Sequence, residues 1–207
     1  MIILKEIHNL ARLFLIFTPF SLMIIFLLAF FLTYKRLGKI PPHKHDFKTF
    51  SLGSLSIIWV LVASLIALYP TLSSYIIIVE FMLNPSIVFL GILFSVIAIF
   101  LMFLGFLSMG ESFRMGIPDM LEVQSAKLVT SGVFRYIRNP GFLGLDSAVC
   151  GTFLLAPSIV TLILMFLTWI IFHLQIIDEE QYLLKVHGEK YIHYKKSTGR
   201  YFPKIRG

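Results

Sequence analysis

Cysteine is almost absent: the one thiol, Cys150, excludes an intrachain disulfide and any cysteine-based zinc site. Charge is scarce as well. Only 14% of the residues are Asp, Glu, Lys or Arg, where a soluble domain carries about 25%. No glycine-rich cradle of the dinucleotide or P-loop kind is present. His43 and His45 share one basic stretch, and His173, His187 and His193 are scattered towards the C-terminus, so no metal set is expected. Position suggests no Ser-His-Asp arrangement, and there is neither an internal repeat nor a low-complexity segment.

Apolar sequence fills the space that charge leaves. Apolar residues make up 57% of the 207, and the mean hydropathy is +0.87. Four runs, 13–32, 50–69, 86–108 and 159–177, approach or exceed the roughly 20 residues that span hydrocarbon. A fifth, 141–155, is shorter and stops at Ala156-Pro157-Ser158. The first run is too long for a cleaved signal, and Tyr34-Lys35-Arg36 follows it instead of a small-residue cleavage site. These features predict an all-α polytopic membrane protein of about five transmembrane helices in one domain, 1–207. Residues 1–108 form its scaffold and 109–207 its chemical half.

The net charge of +7 raises nucleic acid as a partner, but its distribution argues against that. Lys35, Arg36, Lys39, Lys44 and Lys48 lie in the first link; Arg114, Lys127, Arg135 and Arg138 in the stretch 109–140. The tail carries Lys185, Lys190, Lys195, Lys196, Arg200, Lys204 and Arg206. The links 70–85 and 156–158 contain no Lys or Arg. By the positive-inside rule this alternation predicts an outside N-terminus and a cytoplasmic C-terminus. Gly38 and Pro41-Pro42 read as a turn, and 75–83, with Glu80 inside it, as an interfacial helix or an extension of the second span.

Polar chemistry gathers on the expected cytoplasmic side. The run SGVFRYIRNPGFLG, 131–144, places two arginines, an asparagine, a proline and three glycines where hydrocarbon begins. Such an insert holds a ligand or anchors the headgroup region. The three-residue proline link between 141–155 and 159–177 demands an antiparallel helical hairpin, 141–177. Beyond it, Asp178-Glu179-Glu180 reads as the start of an amphipathic cytoplasmic helix, with Tyr191 and Tyr194 as packing or interface residues. Asp146, inside the fifth run, is either a functional acid or a structural one that pairs with Arg138 or caps a broken helix near the interface.

KLVTSGVFRYIRNPGFLG, followed after one hairpin by DEEQYLLKVHGEKYIHYKKSTGRYFP, resembles the isoprenylcysteine carboxyl methyltransferase family and the related phospholipid N-methyltransferases. The resemblance covers roughly 105–203 and rests on order and spacing: Leu-Val-Thr-x-Gly, Arg-x-Pro-x-x-x-Gly, Glu-Glu, then Gly-x-x-Tyr-x-x-Tyr. It implies an integral-membrane enzyme using S-adenosyl-L-methionine. By that resemblance Lys127, Leu128, Val129, Phe134, Arg138, Asn139, Pro140, Gly141, Phe142 and Glu179 form the cofactor pocket. Gln175, Glu180 and Asp146 are the catalytic candidates, Gln175 standing at a substrate-side position. The family often has His at Ala126 and Asn139, Tyr at Phe134 and Phe142, and Arg at Gln175. The acceptor therefore stays open between an isoprenylcysteine-like carboxylate and a phospholipid amine.

The residue chemistry suits that reading. Glu179 can pair with the cofactor's amino group, and Phe134 and Phe142 can face a sulfonium or an adenine. Glu179 and Gln175, at i and i−4, share a helical face. An amine acceptor must lose a proton, which Glu180, Asp146 or His173 can take. The expected partners are membrane lipids and a lipidic or amphiphilic methyl acceptor, with no nucleic acid and no metal. Small size and the Asn139-Pro140 variant point to a prokaryotic plasma membrane. Two alternatives remain: an NADPH-dependent reductase of the sterol-reductase type, and a non-catalytic membrane protein such as a transporter subunit. The first should carry more basic residues for phosphates, and the second duplicated halves.

Overall fold

The computed structural model describes residues 2–37, 47–69, 84–112 and 127–204. The expectations for the turn at Gly38 and Pro41-Pro42, for 75–83, and for His43, His45, Arg114 and Ala126 lie outside these residues. Six α-helices are present among those described: α1 (Ile2–Leu37), α2 (Phe47–Leu68), α3 (Pro85–Met109), α4 (Pro140–Leu155), α5 (Ile159–His187) and α6 (Glu189–Ser197). Short 3-10 turns occupy Gly110–Ser112 and Gly132–Arg135. Three helical stretches, Glu6–Arg36, Pro85–Met109 and Ile159–His187, are long and apolar enough to cross a membrane, and Ser54–Leu68 and Pro140–Leu155 are shorter apolar helices. The all-α polytopic expectation is met.

Lipid, not water, is the solvent for the outer surface of this bundle. Phe17, Phe31, Leu61, Phe89 and Phe100 all point outward and are exposed, an arrangement that only hydrocarbon contact tolerates on this scale. Inside, one cluster joins Ala11 and Leu15 of α1 to Ile66 and Ala67 of α2, Val88 of α3 and Leu155 of α4. A second joins Leu22, Trp59, Ala98, Ala148 and Val149. The Trp59 indole donates to Thr152 Oγ1 at 3.0 Å, which satisfies a polar group in the core and fixes α2 against α4.

Helices α3 and α4 approach most closely because small residues line both. A Cβ on Gly144 would stand 3.0 Å from the Ala98 carbonyl oxygen, and one on Gly151 would stand 2.9 Å from that of Gly91. The membrane offers little hydrophobic drive for helix association, so close backbone contact supplies it. Gly151→Leu is therefore expected to lower stability by about 1–3 kcal/mol. Thermal unfolding in detergent checks this; an unshifted midpoint would show that the two helices have slack.

The hairpin forms as its link requires. Ala156-Pro157 ends α4, and Ser158 caps α5: its hydroxyl accepts from Thr161 N at 3.1 Å, and Thr161 Oγ1 accepts from Ser158 N at 3.1 Å. The reciprocal pair satisfies two buried helix-end donors at the closed end of the hairpin. One expectation is corrected here. Asp178-Glu179-Glu180 does not open a new helix, because α5 runs unbroken from Ile159 to His187. Neither Gly nor Pro stands near Ile177 to stop it, and the break falls at Gly188, whose φ is +51°. The acids follow the apolar run 159–177 within the same helix.

Candidate active site

The polar insert is built on backbone that leaves helical geometry and is held by the C-terminal tail. Lys127 is exposed, and Leu128 and Val129 are partly buried in a stretch without regular secondary structure. It leads into the 3-10 turn at Gly132–Arg135, where Val133 N donates to Ser108 Oγ at the end of α3, 3.3 Å away. Phe134 is buried within that turn. Ile137 then pairs with Gly199 as an isolated parallel bridge, and Arg138 N donates to Gly199 O at 2.9 Å. Pro140 starts α4, a position where its missing N–H is no loss.

The tail grips this strip at nearly every residue. Tyr194 donates its hydroxyl to Phe134 O at 2.7 Å, Thr198 Oγ1 donates to Arg135 O at 3.4 Å, and Asn139 Nδ2 donates to Arg200 O at 3.4 Å. Tyr191 and Tyr194 are themselves buried in α6. Burial, reinforced by the charge of Glu180, pushes the Tyr191 phenol up to about 12. Tyr194 rises too, through burial and then Tyr191, so both phenols stay protonated and Tyr194 keeps the proton it donates to Phe134 O.

One carboxylate ties the arrangement together. Glu180 accepts from Arg138 Nε at 3.2 Å and Nη2 at 2.9 Å, and from Arg200 Nε at 3.0 Å and Nη2 at 2.8 Å. Lys195 Nζ stands 3.7 Å away. Arg138 also donates through Nη1 to the carbonyls of Lys195 and Thr198. Two sequence expectations change as a result. Both oxygens of Glu180 are occupied by cationic donors, so the geometry argues against the proton-acceptor role expected of it. Arg138 is committed to Glu180 and the tail, which makes it a brace behind the proposed pocket wall and leaves Asp146 without its expected partner.

The remaining candidates share the facing stripes of the hairpin. Phe142 on α4 and Phe172 on α5 meet with ring centroids 5.7 Å apart at 58°. Gln175 is buried and Glu179 half-buried one and two turns further along that α5 stripe. Asp146 lies one turn beyond Phe142, with Oδ1 buried and without a hydrogen-bond partner. Beside Gly141 there is open space: a Cβ there meets nothing within 4 Å. His173 Nδ1 and the Tyr201 hydroxyl are 2.6 Å apart. A separate groove of about 340 Å³ is lined by Arg135, Tyr136, Ser197, Pro203 and Lys204 and touches none of the hairpin residues.

Sequence reading missed Arg200, Lys195, Thr198 and Gly199, whose charges and glycine looked like tail chemistry. The available signal was Glu180 itself, since a carboxylate next to a hydrocarbon boundary needs cationic partners. Comparison with known proteins gives the arrangement its relatives. Protein-S-isoprenylcysteine O-methyltransferase from Schizosaccharomyces pombe is 34% identical over 79 residues, covering 38% of this chain and 34% of that protein. The corresponding protein from Saccharomyces cerevisiae is 35% identical over 79 residues, covering 38% and 33%. The aligned stretch thus spans about a third of the length of these curated relatives. The solved structure of the eukaryotic intramembrane Ras methyltransferase ICMT (isoprenylcysteine carboxyl methyltransferase) superposes with a TM-score of 0.50 at 17% identity, covering 97% of this chain and 98% of that one, so the fold is shared. The phospholipid methyltransferase profile matches residues 86–190, from α3 into α6 and just over half of the sequence, and the chain belongs to the phospholipid methyltransferase family.

Proposed function

We propose that the protein is an integral-membrane methyltransferase that takes S-adenosyl-L-methionine from the cytoplasmic side and a lipidic or amphiphilic acceptor laterally from the bilayer. The observation that carries this reading is the stripe Phe142–Phe172–Gln175–Glu179 at the polar end of the hairpin. Its donor set suits the cofactor. Glu179 can hold the amino group, the Phe142–Phe172 pair offers an aromatic face to a sulfonium, and the space beside Gly141 leaves room at the helix start. The non-helical backbone of Leu128 and Val129 adds N–H and C=O groups for polar atoms of the ligand. When bound, this cofactor supplies an electrophilic methyl group and needs no covalent nucleophile from the protein. The chain's own contribution is alignment of the two reactants, which can account for most of the acceleration of a displacement.

Calorimetric titration of the purified protein with S-adenosylhomocysteine, and separately with NADPH, tests the reading. S-adenosylhomocysteine should bind, and Glu179→Ala should weaken it about 10- to 100-fold, as expected for a lost charge-assisted hydrogen bond. Binding of NADPH alone would replace the methyltransferase with the reductase. Unchanged affinity in Glu179→Ala would remove that residue from the pocket.

A further inference from the structure

The groove of about 340 Å³ outside the hairpin is walled on one side by Arg135 and Tyr136, and on the other by Ser197, Pro203 and Lys204 of the tail. Its size falls within the range of small-molecule sites. Each polar side chain of the lining can donate a hydrogen bond, two carry positive charge, and none is a carboxylate. The Arg135 guanidinium is exposed and makes no hydrogen bond or ion pair among the described residues. Its planar fork matches the oxygens of a phosphate.

The surroundings leave this positive charge uncancelled. Glu180 is fully engaged by Arg138 and Arg200. The C-terminal end of α6 would by itself repel an anion. Lys204 Nζ covers it, donating to the carbonyls of Lys195 and Lys196 at 2.9 Å each, and Arg138 Nη1 covers those of Lys195 and Thr198. Two bonds leave the Lys204 ammonium one further N–H for a ligand. Beside these cations lie bare aromatic rings: Tyr136 is 57% exposed, and Phe202, next to Pro203, is 74% exposed. Tyr136 also shortly precedes Pro140, where apolar α4 begins. Aromatic rings next to cations at the end of an apolar helix are the pattern of the headgroup layer.

We propose that this groove binds the phosphate of an anionic phospholipid headgroup, and that the bound headgroup latches the C-terminal tail to the strip at Arg135 and Tyr136. The lipid is a ligand here and not the methyl acceptor, because Phe142, Phe172, Gln175 and Glu179 do not line the groove. The inference therefore stands apart from the methyltransferase reading. A phosphocholine headgroup offers the same phosphate, but its ammonium meets cations and no carboxylate in the lining, so an anionic headgroup is preferred. The latch follows from the two walls. An anion shared by Arg135 and Lys204 joins segments that already meet through the Tyr194–Phe134 hydrogen bond and the Ile137–Gly199 bridge.

Native mass spectrometry of the full chain in detergent tests the site, with dioleoylphosphatidylglycerol, dioleoylphosphatidylcholine and inorganic phosphate as probes. Phosphatidylglycerol should bind about tenfold more tightly than phosphatidylcholine, and excess inorganic phosphate should not displace it. Arg135→Gln should weaken phosphatidylglycerol binding about tenfold and Lys204→Gln about fivefold. Lys190, exposed on α6 outside the groove, supplies the control. Lys190→Gln should weaken binding by less than about twofold. Phosphatidylglycerol should also slow hydrogen exchange at the Arg138 amide, which donates to Gly199 O, in the parent but not in Arg135→Gln. Equal losses in Arg135→Gln and Lys190→Gln would reveal diffuse attraction to a basic tail and overturn the site. Displacement by inorganic phosphate overturns the lipid assignment, and lipid binding without slower exchange overturns the latch. Should Lys204→Gln fail to fold, Arg135→Gln decides the question, since its side chain has no hydrogen bond or ion pair to lose among the described residues.

Discussion

Glu180→Ala is expected to lower stability by about 3 kcal/mol, at the lower end of what removing one member of a buried ion pair costs. The magnitude follows from who is left behind. The Arg138 side chain is 7% exposed and would keep the neutral Lys195 and Thr198 carbonyls and the Tyr191 phenol as partners, with no counter-charge in direct contact. Arg200, 31% exposed, can turn to solvent, which is why the upper end of the range is not expected. Lys195 sets the contrast. It is 51% exposed and 3.7 Å from the carboxylate, so Lys195→Ala should change stability by no more than about 0.5 kcal/mol. Arg138→Lys should fall between, because an ammonium cannot reproduce the Nε and Nη2 contacts on one oxygen while also reaching the tail carbonyls. Thermal unfolding measures the first two effects. Hydrogen exchange at the Arg138 amide, which donates to Gly199 O, reports whether the tail has let go. Equal midpoints for Glu180→Ala and Lys195→Ala would mean that the carboxylate does not hold the tail in place.

The apolar helices were legible because hydrocarbon imposes a length and a composition that residues 86–108, 141–155 and 159–177 display locally. The hairpin was legible for a similar reason, since Ala156-Pro157-Ser158 leaves no room for another topology. What escaped was non-local. Gly199 meets Ile137 across more than sixty residues of sequence, and no periodicity announces a single isolated bridge. The Glu179-Glu180 pair shows the same limit at closer range. Adjacent residues on a helix point about 100° apart, so one acid turns to Arg138 and Arg200 while the other stays on the Phe172 stripe. Composition treats them alike, and only packing separates brace from ligand-facing group. Asp146 needed the same information, because nothing in the sequence shows that Arg138 turns to Glu180 and leaves Asp146 Oδ1 without a hydrogen-bond partner.

Gly199→Ala should release the tail through sterics alone, with every charge intact. A Cβ at this position would overlap the Phe202 carbonyl oxygen and lie 2.8 Å from the Phe202 carbonyl carbon. Both atoms are backbone, so no rotamer change relieves the clash and the segment 199–202 must open. Opening it withdraws Gly199 O from Arg138 N, Arg200 O from Asn139, and the Arg200 guanidinium from Glu180. The strain of such overpacking is about 1–3 kcal/mol. The wall Phe134–Phe142 then loses its bracing while the bundle does not, because the close α3–α4 contacts at Gly91, Gly144 and Gly151 lie in the membrane layer. The expected signature is therefore split: helical circular dichroism as in the parent, faster exchange at the Arg138 amide, and S-adenosylhomocysteine affinity reduced about tenfold or more. Phe202→Ala supplies the control, since the ring is 74% exposed and its removal leaves the backbone oxygen where it was. That variant should bind as the parent does. If Gly199→Ala also binds as the parent does, with exchange at Arg138 unaltered, the tail is a bystander and the hairpin stripe forms the pocket unaided.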